Sequence, residues 1–170
     1  MIEVRLGELA ATDAAALLRP VAADWTAVTP AMRRLELAAG TELEEQCRRL
    51  GELPVGSAAI TGAGELAAEY MVHVVVHSQE EPVSRAKIRL GLLNGLRRLT
   101  EWSIESVAMA PLGTGAGNLD AETSAEIMIP LLLERRTSPY PARVVLVVDS
   151  EYERQAFEKA LRRHLPAGIP

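Results

Sequence analysis

A single cysteine in 170 residues leaves no partner for an internal disulfide. Cys47 stands in LEEQCRRL and reads as a small core residue of a protein kept in a reducing compartment, the cytoplasm. Long apolar runs are also missing. No stretch nears the roughly 18 residues of a membrane span, and MIEVRLGEL has neither the basic start nor the apolar run of a signal peptide. Histidine is scarce and there is no CxxC pair. His73 and His77 stand four apart, but in a strand-like run where that spacing separates them by about 13 Å, so no metal site is expected. An excess of positive charge is absent too. The formal charge of −5 excludes a dedicated nucleic-acid binder, which needs a concentrated basic face. The arginine pairs at 33–34, 48–49, 97–98, 135–136 and 162–163 lie among acidic residues in helix-like segments and are expected on solvated helix faces.

What remains is an ordinary globular mix, 48% hydrophobic and 24% charged, long enough for one domain over residues 1–170. IEVRL at 2–6 alternates like a strand with one wet face, and AAALLRPV at 14–21 is a weaker strand candidate. Thr29-Pro30 reads as a cap and first turn of a helix ending at Gly40. A Thr41–Glu44 capping box predicts a second helix ending at Gly51. GSAAIT at 56–61 is another strand. YMVHVVV at 70–76 is apolar at nearly every position, which marks a strand covered on both faces. Residues 84–102 carry Ile88, Leu92, Leu96 and Leu99 at helical spacing. After them come a strand at 105–110, a helix at 121–136 with Pro130 as a kink or break, a strand at 143–148 and a helix at 150–165. Alternating strands and helices predict an α/β layer architecture.

Between the strand at 105 and the helix at 121 lies PLGTGAGNL, with glycine at 113, 115 and 117. Glycines let a backbone turn sharply and bring its N–H groups close to a ligand, and a helix N-terminus just beyond adds partial positive charge. Together these favour a phosphate or diphosphate, while a plain tight turn stays the alternative. The spacing is GxGxG rather than GxGxxG and one helix remains after Asp149, too little for a nicotinamide-binding Rossmann domain. No GK[ST] follows, so a P-loop is excluded.

From about Leu37 to Leu161 the order of these pieces resembles the macro domain family, modules that bind ADP-ribose and related nucleotides. AAGTELEEQCRRLGELPVGSAAITGAGELAAEYMVHVVV is similar to the family's AG-x-EL-x-x-C helix, G-x-A-x-x-T strand and L-x-A-x-Y-x-x-H stretch. VAMAPLGTGAGNLDAETSAEIM resembles its second phosphate loop, and RVVLVVDSEYERQAFEKAL its last strand and helix. The resemblance implies a three-layer α/β/α sandwich with a mixed, mostly parallel sheet. It also implies a diphosphate held by Gly113, Thr114, Gly115, Ala116, Gly117 and Asn118, and an adenine and ribose end near Glu8, Trp25, Val148 and Asp149.

The first forty residues depart from the family. Gly7-Glu8-Leu9-Ala10 stands where its G-D-[IV]-T turn puts an adenine-binding aspartate, a carboxylate one methylene longer. By position, residues 13–20 replace D-A-[IV]-V-N-A-A-N without either asparagine, and no glycine lies between Gly7 and Gly40. Val147 or Val148 occupies the place of the stacking aromatic, whose ring would add about 1–3 kcal/mol. Trp25 either compensates for that loss or plugs a gap, and Tyr70, His73 and His77 read as packing residues. The reading is therefore binding of a small ADP-ribose-like nucleotide without turnover, with no catalytic residue, cofactor, nucleic-acid partner or membrane partner, and with homo-oligomerisation left open. A degenerate scaffold without a ligand is the alternative. A third reading is an ADP-ribosyl hydrolase or deacetylase using Asp24 and Thr26.

Overall fold

The computed structural model describes residues 1–115 and 118–167. In chain order it has β1 (Ile2–Leu6), a 3₁₀ turn (Leu9–Ala11), β2 (Ala16–Ala22), α1 (Pro30–Ala39), α2 (Thr41–Leu50), β3 (Ala58–Gly62) and β4 (Tyr70–His77). There follow α3 (Arg85–Glu101), β5 (Ser106–Met109), α4 (Ala121–Glu134), β6 (Arg143–Val148) and α5 (Glu151–His164). The strands form one six-stranded sheet in the order β1-β6-β5-β2-β4-β3, parallel throughout except for β3, which runs antiparallel to β4.

Strand alternation divides the core into two layers. Leu18, Val72, Val74, Val107, Met109, Leu146 and Val148 pack with α3, α4 and α5. Their neighbours Leu17, Met71, Ala108, Val145 and Val147 pack with Met32, Leu35 and Ala39 of α1 and Leu43 and Cys47 of α2. The result is the mixed, mostly parallel α/β/α sandwich expected from the sequence. The apolar run at 70–76 is β4, paired on both sides by β2 and β3, and the five arginine pairs lie in or beside helices, exposed except for the half-buried Arg135.

Two local readings differ. The Thr41–Glu44 capping box does not form: Gly40, at φ 84°, is the single residue joining α1 to α2, so Thr41 is already the first helical residue and no side chain caps that end. Pro130 does not break α4, which runs as one helix through it. Its flanking Met128, Ile129, Leu131, Leu132 and Leu133 are all buried between the sheet and the neighbouring helices, and that packing offsets the one backbone bond proline removes. Among the described residues no helix is long and apolar enough to cross a membrane, and no group of three or more His, Cys, Asp and Glu could hold a metal ion.

Candidate functional site

Because β1, β2, β5 and β6 run in parallel, the turns that follow them gather on one edge of the sheet, where clefts of α/β proteins form. A narrow pocket of about 60 Å³ lies there. Gly7, Glu8 and Leu9 come from the turn after β1, Met32 and Leu35 from α1, Pro111 and Thr114 from the loop after β5, and Val147, Asp149 and Glu153 from the end of β6 and the start of α5. Glu8 is exposed and meets Arg34 at 3.3 Å. Val147, not Val148, faces this pocket; Val148 points to the opposite side of the sheet and packs with the α3–α5 layer, since successive strand residues face opposite ways. Glu153 was not anticipated from the sequence. Its Oε1 accepts the Asp149 N–H at 3.2 Å. Burial, and then the Asp149 carboxyl group beside it, push its pKa up to about 7.

The loop after β5 turns at Gly113 (φ 81°) and Gly115 (φ 126°), both in the region that L side chains avoid. Gly113 is buried, and a Cβ there would meet Ile88 at 2.9 Å. A Cβ on exposed Gly115 finds only ordinary contacts, with Thr29 at 3.5 Å and Val28 at 3.7 Å. Thr114 forms an isolated parallel bridge with Leu119. One expected phosphate donor is not free, since the Asn118 N–H is bonded to Gly115 O at 3.1 Å; the next residue, Leu119, likewise donates its N–H to Gly113 O at 3.0 Å. Ala116 and Gly117, the other expected contacts, lie outside the described residues. The N-terminus of α4 is also partly used. Asp120 caps it through Thr123 N at 2.7 Å, and those bonds hold the Asp120 carboxyl below its usual range.

A second and larger cleft, of about 1020 Å³, opens between the loop after β2, α1 and α2, and shares Thr29 with the first. Trp25 stands on its wall. The residue adopts φ 72°, its indole N–H donates to Gly51 O at 2.7 Å, and its ring meets His73 edge-on at 5.0 Å. The bond to Gly51 fastens the loop after β2 to the end of α2. Asp24 accepts the Thr26 N–H at 3.1 Å, and bonding from Thr26 lowers its pKa, so it is a turn residue and a poor proton acceptor.

The floor of this cleft holds a group that composition hid. Arg19, in the apolar run of β2, is only 2% exposed. Its Nε donates to His73 Nδ1 at 2.9 Å, its Nη1 to Glu36 at 2.7 Å, and its Nη2 makes a long contact with Cys47 Sγ at 3.7 Å. Since His73 Nδ1 accepts, its Nε2 carries the hydrogen and donates to Thr61 Oγ1 at 2.8 Å, and Thr61 passes a bond on to Gly62 O at 2.7 Å. Burial, and then the Arg19 charge, hold the His73 pKa far below its ordinary value, so the ring is neutral; burial likewise raises the Cys47 thiol. The only sequence signal was a cation inside ALLRPVA, a place arginine occupies when it is paired.

A model of the Macro domain matches residues 30–128. An uncharacterised protein of Aeropyrum pernix is 31% identical to this chain over 173 residues, covering 97% of this chain and 87% of that protein. Among solved structures, the macrodomain of Oceanobacillus iheyensis with ADP superposes with a TM-score of 0.86 at 17% identity, over 95% of this chain and 90% of that one. A mutant of the same macrodomain with ADPR also gives 0.86, at 18% identity, over 95% and 92%. At such identities the structural likeness speaks to the fold.

Proposed function

Since the chain belongs to the macro domain family, we propose that its 170 residues form one nucleotide-binding module that holds ADP-ribose or a related phosphorylated nucleotide across the two clefts, without turning it over. The base lies in the narrow pocket, whose Leu9, Met32, Leu35 and Val147 walls suit a planar apolar ring. The diphosphate rests on the turn from Gly113 to Gly117. The terminal ribose points past Thr29 into the larger cleft, and the ligands named with the Oceanobacillus iheyensis structures, ADP and ADPR, are of this chemistry.

One observation carries the reading. Trp25, the large side chain of the altered first loop, is fastened to Gly51 on the wall of the larger cleft and does not line the narrow pocket. Absence of turnover is supported by the commitments of the polar groups in and beneath the larger cleft. Asp24 is used by Thr26, and Arg19, Glu36 and His73 are tied to one another. Calorimetric titration with ADP-ribose, ADP, AMP and ribose phosphate tests the proposal. At least one of them binds below 1 mM, equivalent to about −4 kcal/mol; no heat from any of the four overturns it.

A further inference from the structure

We propose that the outer edge of β1 is a self-association surface, where a second copy of this chain pairs its own β1 in antiparallel fashion and continues the sheet across a two-fold axis at Val4. The surface is separate from the nucleotide site and stands without it.

The sheet has two edges, and only one of them is covered. At the β3 edge, the Val75 N–H is bonded to Ser57 O, which turns Ala58, Ile60 and Gly62 outward. Side chains occupy that edge: Gln46 accepts the Gly62 N–H at 3.0 Å and Arg98 donates to Ala58 O at 3.4 Å. At the β1 edge, Val144 N donates to Met1 O and Gly7 N to Val148 O, so the odd-numbered residues of β1 bond to β6. Ile2, Val4 and Leu6 therefore turn their N–H and C=O groups away from the sheet, and among the described residues no hydrogen bond reaches them. The strand carries no proline, lysine or bulge to keep a second strand off. Its two charged residues, Glu3 and Arg5, have opposite signs and are bonded to each other.

The residues of β1 select both partner and register. In an antiparallel pair the outward residues stand opposite each other and exchange their bonds, so even-numbered positions must face even-numbered ones. Centring the pair on Val4 sets Ile2 opposite the partner's Leu6 and Glu3 opposite the partner's Arg5. Ile2 and Val4 pack with the α3–α5 layer, so that face of the junction is apolar, and Leu6, 50% exposed, is covered by the partner's Ile2. On the other face Arg5 holds Glu3 at 2.8 Å, both side chains being well exposed. The axis brings a second such pair against the first with the signs alternating, each guanidinium between two carboxylates. A shift to either neighbouring register sets Glu3 against the partner's Glu3, or Arg5 against the partner's Arg5, and is opposed by like charge. A surface that complements itself in this way closes as a dimer.

Light scattering over a concentration series tests the proposal, reaching about 0.5 mM because so short a strand makes a small and weak interface. The wild type is compared with Glu3→Arg, Arg5→Glu and Val4→Pro, with folding of each verified by thermal melting. The wild type rises towards twice the monomer mass. Glu3→Arg and Arg5→Glu each stay monomeric, since each sets like charges opposite one another across the axis. An equimolar mixture of the two returns to dimer, because opposite signs then meet at every pair. Val4→Pro is monomeric as well, and it removes no bond to β6, because the Val4 N–H faces away from that strand. A wild type that keeps the monomer mass at every concentration overturns the proposal and leaves this edge to a strand of another protein. A dimer that survives in Glu3→Arg or Val4→Pro, or a mixture that stays monomeric, overturns it too.

Discussion

Two glycines of one loop separate folding from binding. Gly113 is buried under Ile88 and Leu119 as well as left-handed, so a methyl group there meets both strain and a clash. Gly115 carries the positive φ without the clash. Gly115→Ala is therefore expected to cost about 1–2 kcal/mol of backbone strain, and Gly113→Ala distinctly more, the order read by thermal melting. Asn118→Ala changes nucleotide affinity little, because its backbone N–H serves the loop. Arg19 makes a different kind of demand. Glu36→Ala removes the partner of a cation with 2% exposure, and should destabilise by about 3 kcal/mol or more in urea titrations, whereas Arg19→Met should cost less because Glu36 keeps Arg33 at 3.4 Å. His73 adds a pH signature. Its folded pKa lies below that of the unfolded chain, so its contribution is present above about pH 6.5 and is lost as pH falls. Glu153 acts with the opposite sign, its folded pKa of about 7 eroding stability as pH rises from 4.5. Urea titrations between pH 5 and 8 should show a weaker acid loss in His73→Gln and a weaker alkaline loss in Glu153→Gln.

At the scale of elements, most of the fold was legible because the pattern repeats along each one. β4 is apolar at nearly every position since both faces are covered, and α3 repeats its apolar residues at helical spacing because only one face is buried. What was not legible depends on neighbours in space. Nothing local distinguishes Val147 from Val148 as the residue facing the cleft, because the choice of face belongs to the sheet and both faces of β6 are apolar. The Thr41 capping box fits the sequence, but one-residue spacing between α1 and α2 puts Thr41 inside the helix. The glycine loop was found by its composition, but which of its N–H groups were already bonded, and that Asp120 caps α4, required coordinates. That cap gives a prediction. Asp120→Asn retains an accepting side-chain oxygen and removes a negative charge beside the proposed diphosphate, so the helix stays capped while ADP-ribose affinity rises, most at low salt. Asp120→Ala should lower stability by about 1 kcal/mol.

For the whole molecule, the parallel sheet explains how distant segments share one site. Residues 7–9, 29–35, 111–114 and 147–153 meet because the strands preceding the turns point the same way. The two layers divide the labour: α3, α4 and α5 bury the larger core, while α1 and α2 leave room on their side for the wider cleft with Arg19 at its floor. Within the altered first forty residues, Trp25 and Arg19 brace that cleft through Gly51, His73 and Glu36. The central claim is that this turn is an anion site made of backbone. Calorimetric titration of ADP-ribose into the wild type and into Gly115→Val tests it most directly. The account predicts binding below 1 mM by the wild type and no detectable heat from a variant that still melts cooperatively, because Gly115 lies outside the core and its Cβ meets no closer contact than 3.5 Å. A folded Gly115→Val protein that binds ADP-ribose with wild-type affinity would contradict it and reduce the loop to a turn.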